Sequence, residues 1–208
     1  MKLLILGATG PSGLKLVEQS LEQGHEVTAF VRTPAKMKIS HARLTVAKGD
    51  VLDKDSLLRA LEGKDAVLSA LGVGKSLRAN NLMTNAMSNI IPAMNERGIK
   101  RLIFESAFGV GETLQQADLI QKIIFRTLLK GLYSDKAKAE EQLRSSALDW
   151  VLVYPVVLTN GPLTGKYQVA EKLPMKGMPK ISRADVAHFM LRQLADPSYL
   201  KKGAVIMS

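Results

Sequence analysis

The chain has 208 residues, 46% of them hydrophobic, and a mean hydropathy of +0.04, which suits one α/β domain with a full core but leaves two domains cramped. Zero cysteines exclude disulfides, thiolate catalysis and thiolate-held metals, and no apolar run approaches the roughly 18 residues of a spanning helix. The net charge of +10 comes from dispersed Lys and Arg with only 5% aromatics, which argues against a dedicated nucleic-acid surface and for a general attraction to anionic small molecules.

Leu3 to Leu6 is an uninterrupted apolar run, the pattern of a strand buried on both faces of a parallel sheet. Gly7, Gly10 and Gly13 follow, and Leu14, Leu16, Val17 and Leu21 then repeat at helical spacing. A strand, a glycine-rich turn and a helix form a site for a dinucleotide diphosphate. The backbone can turn sharply and approach the ligand, and the helix N-terminus presents free N–H groups and positive charge. Gly7, Thr9, Gly10, Ser12 and Gly13 are the groups of that loop, spaced one residue longer at the first interval than Gly-x-Gly-x-x-Gly.

Gly24 ends the helix, and residues 25–31 read as a second strand followed by Arg32, Thr33 and Lys36. In a dinucleotide fold the adenine ribose lies here, and an acidic residue would accept the 2′-hydroxyl of NAD. A guanidinium, a hydroxyl and an ammonium suit a 2′-phosphate instead, so NADP(H) is the expected cofactor. Residues 44–47 make a third strand. Asp50, with Val51 beside it, either accepts from the adenine amino group or caps a helix over residues 54–62.

Residues 66–71 form the fourth strand, and Leu71 and Gly72 open a Gly72-Val-Gly74 turn able to lie against the nicotinamide ribose. A helix spans 80–97, and residues 101–106 form the fifth strand, ending on Ser106 at the edge where open α/β sheets hold ligands. Amphipathic helices are expected over 113–132 and 135–146, the first with Leu119, Ile120, Ile123, Ile124, Leu128 and Leu129 on its core face. Residues 149–155 form the sixth strand, whose edge offers Tyr154, Pro155 and Val156 to the cofactor. The Pro/Gly-rich stretch 155–180 reads as an irregular cap over the substrate side. Ser182-x-x-Asp185 opens a last helix as a capping box, and 203–207 closes the sheet. The expected fold is thus a Rossmann-like doubly wound parallel sheet flanked by helices, one domain over 1–208. The short N-terminal strand does not resemble a signal peptide, and the expected compartment is the cytoplasm. His25, His41 and His188 are too scattered for a metal site.

These residues resemble the atypical short-chain dehydrogenases/reductases, closest to the biliverdin-IXβ reductase/flavin reductase type. The resemblance rests on Gly7-Ala-Thr-Gly-Pro-Ser-Gly13, Val31-Arg32, Gly49-Asp-Val-Leu52, Ser106-Ala-Phe108, residues 162–167 and residues 181–192. It implies NADPH-dependent reduction of flavins (FMN or FAD as substrate), and in some members of linear tetrapyrroles, by a monomer or weak dimer without a membrane partner. Two departures stand out. The Tyr-x-x-x-Lys pattern keeps Lys136, but Leu132 holds the tyrosine position, and Tyr133 lies about 100° round the helix. The histidine expected after the sixth-strand proline is Val156.

The resemblance leaves Ser106 and Lys136 as catalytic candidates, Ser106 toward the nicotinamide or acceptor and Lys136 toward the ribose. Carbonyl chemistry needs a general acid or base, whereas an oxidised flavin or quinone accepts hydride with mostly positioning. A flat conjugated acceptor is therefore the leading expectation. A non-catalytic NADP(H)-binding sensor is the alternative, and a nucleotide-sugar epimerase or dehydratase fits poorly.

Overall fold

The computed structural model describes residues 1–74, 80–175 and 177–208. Strands β1 (Lys2–Leu6), β2 (Glu26–Val31), β3 (Leu44–Lys48), β4 (Ala66–Ser69), β5 (Arg101–Glu105), β6 (Asp149–Pro155) and β10 (Lys202–Met207) run parallel, and β8 (Gln168–Ala170) pairs antiparallel with β10. The spatial order is β3-β2-β1-β4-β5-β6-β10-β8. Strands β7 (Val157–Thr159) and β9 (Lys180–Ser182) form a separate parallel pair. Helices α1 (Pro11–Glu22) and α6 (Arg183–Arg192) pack together, and α3 (Leu82–Glu96) packs between α2 (Lys54–Leu61) and α5 (Lys130–Arg144).

This is the doubly wound arrangement anticipated from the sequence. The chain leaves β1 in one direction to β2 and β3, then returns across to β4. The crevice beyond the carboxyl ends of β1 and β4 is the switch point where such sheets bind ligands. Leu3, Leu4, Ile5 and Leu6 are fully buried, as their run without polar alternation requires. Helix α1 ends at Gly24, whose φ of +85° is the left-handed conformation that favours glycine. The amides of Gly24 and His25 return to the carbonyls of Leu21 and Ser20, each at 3.0 Å, closing the last turn.

Three expectations need correction. Asp50 does not cap α2: Asp53 does, accepting from the amides of Asp55 at 3.1 Å and Ser56 at 3.4 Å. The helix expected over 113–132 is broken into a 3-10 turn (Gly111–Gln116) and a short α4 (Leu119–Arg126), and α5 already begins at Lys130. Ala117 is extended, and Asp118 starts a new helix through a reciprocal capping box with Gln121, at 2.8 and 3.0 Å. That local signal overrode the apolar rhythm. The cap stretch 155–180, of which Lys176 lies outside the described residues, contains β7, β8 and the start of β9. Asp185 fastens part of it to α6, taking amide bonds from Thr164 and Gly165 at 2.8 Å each as well as that of Ser182 Oγ at 2.8 Å.

Candidate active site

The loop after β1 is shaped by its glycines. Gly7 has φ of +73°, and a Cβ there would press into the carbonyl of Ala70, where β1 and β4 lie side by side. At Gly13 a Cβ would come within 2.8 Å of the Ala8 Cα, so only glycine lets α1 sit this close to the turn. Gly10 is the N-cap residue of α1, with Pro11 behind it and no side chain capping the end. The Gly10 amide donates to Gly7 O at 2.9 Å, which tightens the turn beneath the open helix end. A bare helix terminus over a loop without Cβ atoms fits a dinucleotide diphosphate. Thr9 lies in this loop. Ser12 is buried, and its hydroxyl donates to Glu105 Oε1 at 3.0 Å, which leaves its main-chain N–H for a ligand. Gly13→Ala should lower stability by about 1–3 kcal/mol through overpacking, read as a fall in the urea midpoint, and should weaken dinucleotide binding in the same preparation.

Beyond β2, Arg32, Thr33 and Lys36 are exposed around a 3-10 turn (Pro34–Lys36), and among the described residues neither Arg32 nor Lys36 forms an ion pair. The Thr33 hydroxyl caps nothing. Asp50 receives the amide of Leu52 on Oδ1 at 3.0 Å, which leaves Oδ2 for another donor. The Val51 carbonyl is held by Asn89 Nδ2 at 3.0 Å, fixing the loop after β3 to α3. Leu71 and Gly72 lie past β4, Leu71 beside Gly7, and among the described residues beyond its chain neighbours no atom lies within 4 Å of where a Gly72 Cβ would point. These groups follow one another along the carboxyl edge of the sheet, as the sequence placed them.

At the other end of that edge, neighbours on β5 divide between the two faces of the sheet. Glu105 turns toward α1, and Ser106, immediately after β5, turns toward α5, where its hydroxyl donates to Glu140 Oε1. Tyr154 donates to Glu140 Oε2 at 2.7 Å and accepts from Arg144 at 3.1 Å. Arg144 also reaches Glu112 at 3.8 Å and lies over the Trp150 ring. Burial drives the Glu140 carboxyl above its usual range, although the Ser106 and Tyr154 hydroxyls and the charges of Arg144 and Lys136 oppose the rise. Arg144 and Tyr154 line a cleft of about 550 Å³ together with Glu112 and Glu171, whereas Ser106 and Glu140 are buried.

Lys136, one helical turn before Glu140, lies with its Nζ 3.4 Å from the Glu105 carbonyl and 6.0 Å from the Phe104 ring centre. Burial lowers its pKa against the raising effect of Glu105, Glu140 and Asp135. Glu105 is pushed up by burial, against Lys136, the Ser12 hydroxyl and Arg183, and its Oε2 has no hydrogen-bond partner among the described residues. Ser106 and Lys136 both lie at the β5 edge, Ser106 on Glu140 and Lys136 on the Glu105 carbonyl.

Tyr154 does not present its hydroxyl to that edge directly; its side chain belongs to the Glu140 cluster. The main chains of Pro155 and Val156 are engaged as well: Phe108 donates to the Pro155 carbonyl at 3.0 Å, and the Val156 amide donates to Ile206 O at 3.3 Å. Tyr133 is stacked on Phe125, and its hydroxyl donates to the Phe108 carbonyl at 3.1 Å. Burial raises its pKa to about 12, so it is a poor proton donor.

Glu140, Asp135, Glu105 and Asn89 were not read as site residues from the sequence. Only Glu140 carried a signal, since its spacing from Lys136 puts both on one helical face. Asp135 caps α3 from a different helix, accepting from the amides of Met83 at 2.9 Å and Thr84 at 3.0 Å. Asp135→Ala should cost about 1–3 kcal/mol, measured by urea unfolding, because it orphans two amides at a buried helix end.

Comparison with known proteins agrees with this geometry. A family model described as NAD(P)H-binding matches residues 7–197. An uncharacterized chloroplastic protein of Arabidopsis thaliana is 28% identical over 180 residues, which is 79% of this chain and 61% of that protein. The chain spans from about a third to about two thirds of the length of other curated relatives it matches. Among solved structures, the anaerobillin reductase ChuY of Escherichia coli O157:H7 aligns with a TM-score of 0.82 at 22% identity, over all of this chain and 97% of that one. A short-chain dehydrogenase/reductase of Veillonella parvula in complex with NADP aligns with a TM-score of 0.80 at 21% identity, over all of this chain and 94% of that one. At these identities the two structures show a shared fold. With most of its length matched by the family model, the chain belongs to the NAD(P)H-binding family.

Proposed function

We propose that the chain is an NADPH-dependent oxidoreductase that delivers hydride to a flavin, a quinone or a similar flat conjugated acceptor, linear tetrapyrroles included, acting as a cytoplasmic enzyme. The observation that carries this reading is that, among the described residues, neither a free tyrosine nor a histidine stands at the β5 edge. Tyr133 gives its hydroxyl to Phe108, Leu132 stands where an acid tyrosine would, and Val156 stands where a histidine would. A ketone or an alcohol would need such a group; a conjugated acceptor stabilises the incoming electron pair itself.

NADPH, when bound, supplies the hydride. The residues present fit it: the Gly7–Gly13 loop for the diphosphate, Arg32, Thr33 and Lys36 for the 2′-phosphate, Asp50 and Val51 for the adenine. Lys136 would serve the ribose, and Leu71, Gly72 and Ser106 the nicotinamide side. Glu140 orients Ser106 by accepting its hydroxyl, and burial favours the uncharged form of that carboxyl. The name of ChuY, a reductase of anaerobillin, supports a tetrapyrrole-sized acceptor at the level of a shared fold.

The test is NADPH oxidation followed by absorbance with FMN, a water-soluble quinone and a linear tetrapyrrole supplied in turn. Turnover with at least one is expected, and no turnover with any, despite NADPH binding, overturns the reading. That outcome favours the second reading, an NADP(H)-binding sensor, which the engagement of both the Ser106 and Tyr133 hydroxyls already supports.

A further inference from the structure

Breaking the expected 113–132 helix leaves its apolar side chains outside the core. Leu119 is 79% exposed, Ile120 71%, Ile123 64% and Leu128 64%, and exposed Met178 lies beside Gly177, whose carbonyl takes a bond from Gln121 of α4 at 2.7 Å. A contiguous group of this kind on a folded domain marks an interaction surface. The helix is nonetheless firmly seated: Gln121 is buried, and Phe125 packs on Phe108 and Tyr133. Leu119, Ile120 and Ile123 fall within an arc of about 100° on the opposite side. Lys122 and Arg126 run along one edge of that arc, Lys130 opens α5 just after the turn, and none of the three forms an ion pair among the described residues. From residue 119 to 134 the sequence contains no Asp or Glu.

We infer that α4 and the turn after it form a docking surface for an anionic membrane, lying in the headgroup region with Leu119, Ile120, Ile123 and Leu128 inserted and Lys122, Arg126 and Lys130 on the lipid phosphates. The chemistry matches an interfacial helix, with a strongly apolar face, a cationic flank and a length too short to span. Among the described residues no helix is long and apolar enough to cross a membrane, so the contact is one of surface only. This qualifies the sequence expectation of no membrane partner. A second copy of the chain is the weaker occupant, since a two-fold contact through the same face would bring two sets of these cations together. The proposal goes beyond the reductase reading and stands if that reading falls.

The test is co-sedimentation of the full chain with vesicles of phosphatidylcholine alone and of phosphatidylcholine containing about one-third phosphatidylglycerol. Binding to the anionic vesicles is expected to be about tenfold or more tighter and to fall with added salt. Ile120→Glu/Ile123→Glu and, separately, Lys122→Gln/Arg126→Gln should each reduce it by about tenfold or more. Affinity for NADPH should be unchanged in both, which also shows that they fold. No binding, equal binding to both vesicles, or full binding by the isoleucine variant would overturn the inference. So would a wild-type dimer by light scattering that the isoleucine variant converts to a monomer, because the face would then belong to a second copy.

Discussion

Replacing Arg32 with glutamate is expected to weaken NADPH binding by about a hundredfold or more while leaving NADH binding within a fewfold of its starting value. The estimate follows from the charge-assisted bond between a guanidinium and a phosphate, about 1.5–3 kcal/mol, to which reversal of the charge adds repulsion. NADH carries a hydroxyl at the same position, and a carboxylate at the end of β2 is the group that accepts it in NAD-specific folds. Arg32 is exposed and without an ion-pair partner among the described residues, so its loss should leave the fold undisturbed. Lys36→Ala removes a charge further along the same turn and should have the same sign with a smaller size. Fluorescence titration with both reduced cofactors gives the ratio directly. An unchanged ratio would remove the 2′-phosphate from this corner and with it the preference for NADPH.

The proposed cofactor half of the site can be placed from the sequence because it depends on short-range geometry. Gly7, Gly10 and Gly13 lie within one strand-turn-helix unit, and Arg32 follows the next strand, so the handedness of parallel crossovers fixes where each must lie. The acceptor half depends on which helix covers the carboxyl edge of β5, and that is a long-range matter. Period-3.6 apolar spacing told nothing of whether a partner surface exists for Leu119, Ile120 and Ile123, and they proved to have none within the described chain. The break that exposed them was written locally in Asp118 and Gln121, but it competed with a longer and more regular pattern. Asp135 capping α3 and Glu140 gathering Ser106 and Tyr154 join segments far apart in sequence, and no local feature announces such pairings. The side of β6 on which Tyr154 lies follows from strand alternation, yet only the packed structure shows that α5 fills that side.

Glu140→Ala is expected to cost about 3–5 kcal/mol, the range for removing one member of a buried polar cluster and stranding the others. For a domain of this size that corresponds to a fall in Tm of roughly 6–20 °C. Ser106 and Tyr154 would lose their shared acceptor, and Arg144 would face a tyrosine no longer fixed by the carboxylate. Glu140→Gln should cost far less, because an amide of the same shape still accepts from Tyr154, and the Ser106 hydroxyl, which donates to the carboxyl in the wild type, can accept from the amide nitrogen. The pH dependence separates the two roles of the side chain. The folded pKa of Glu140 lies above its unfolded value, so the native state binds more protons than the unfolded state in between, and the stability it contributes is present below the unfolded carboxylate pKa and lost as pH rises through the folded one. Glutamine cannot ionise. Relative to the wild type, Glu140→Gln should therefore gain stability as pH rises above about 4.5, by an amount that levels off once the folded carboxyl has ionised. Asp185 acts with the opposite sign: burial would raise its pKa, but the amides of Thr164 and Gly165 and the hydroxyls of Ser182 and Thr164 outweigh that and hold it low, so its contribution is lost only as pH falls through that lowered value. Thermal melts of wild type and Glu140→Gln across the acid-to-neutral range test the sign. A difference that does not change with pH would mean that the Glu140 carboxyl is not raised above its unfolded value, and that at neutral pH the carboxylate, not the acid, orients Ser106.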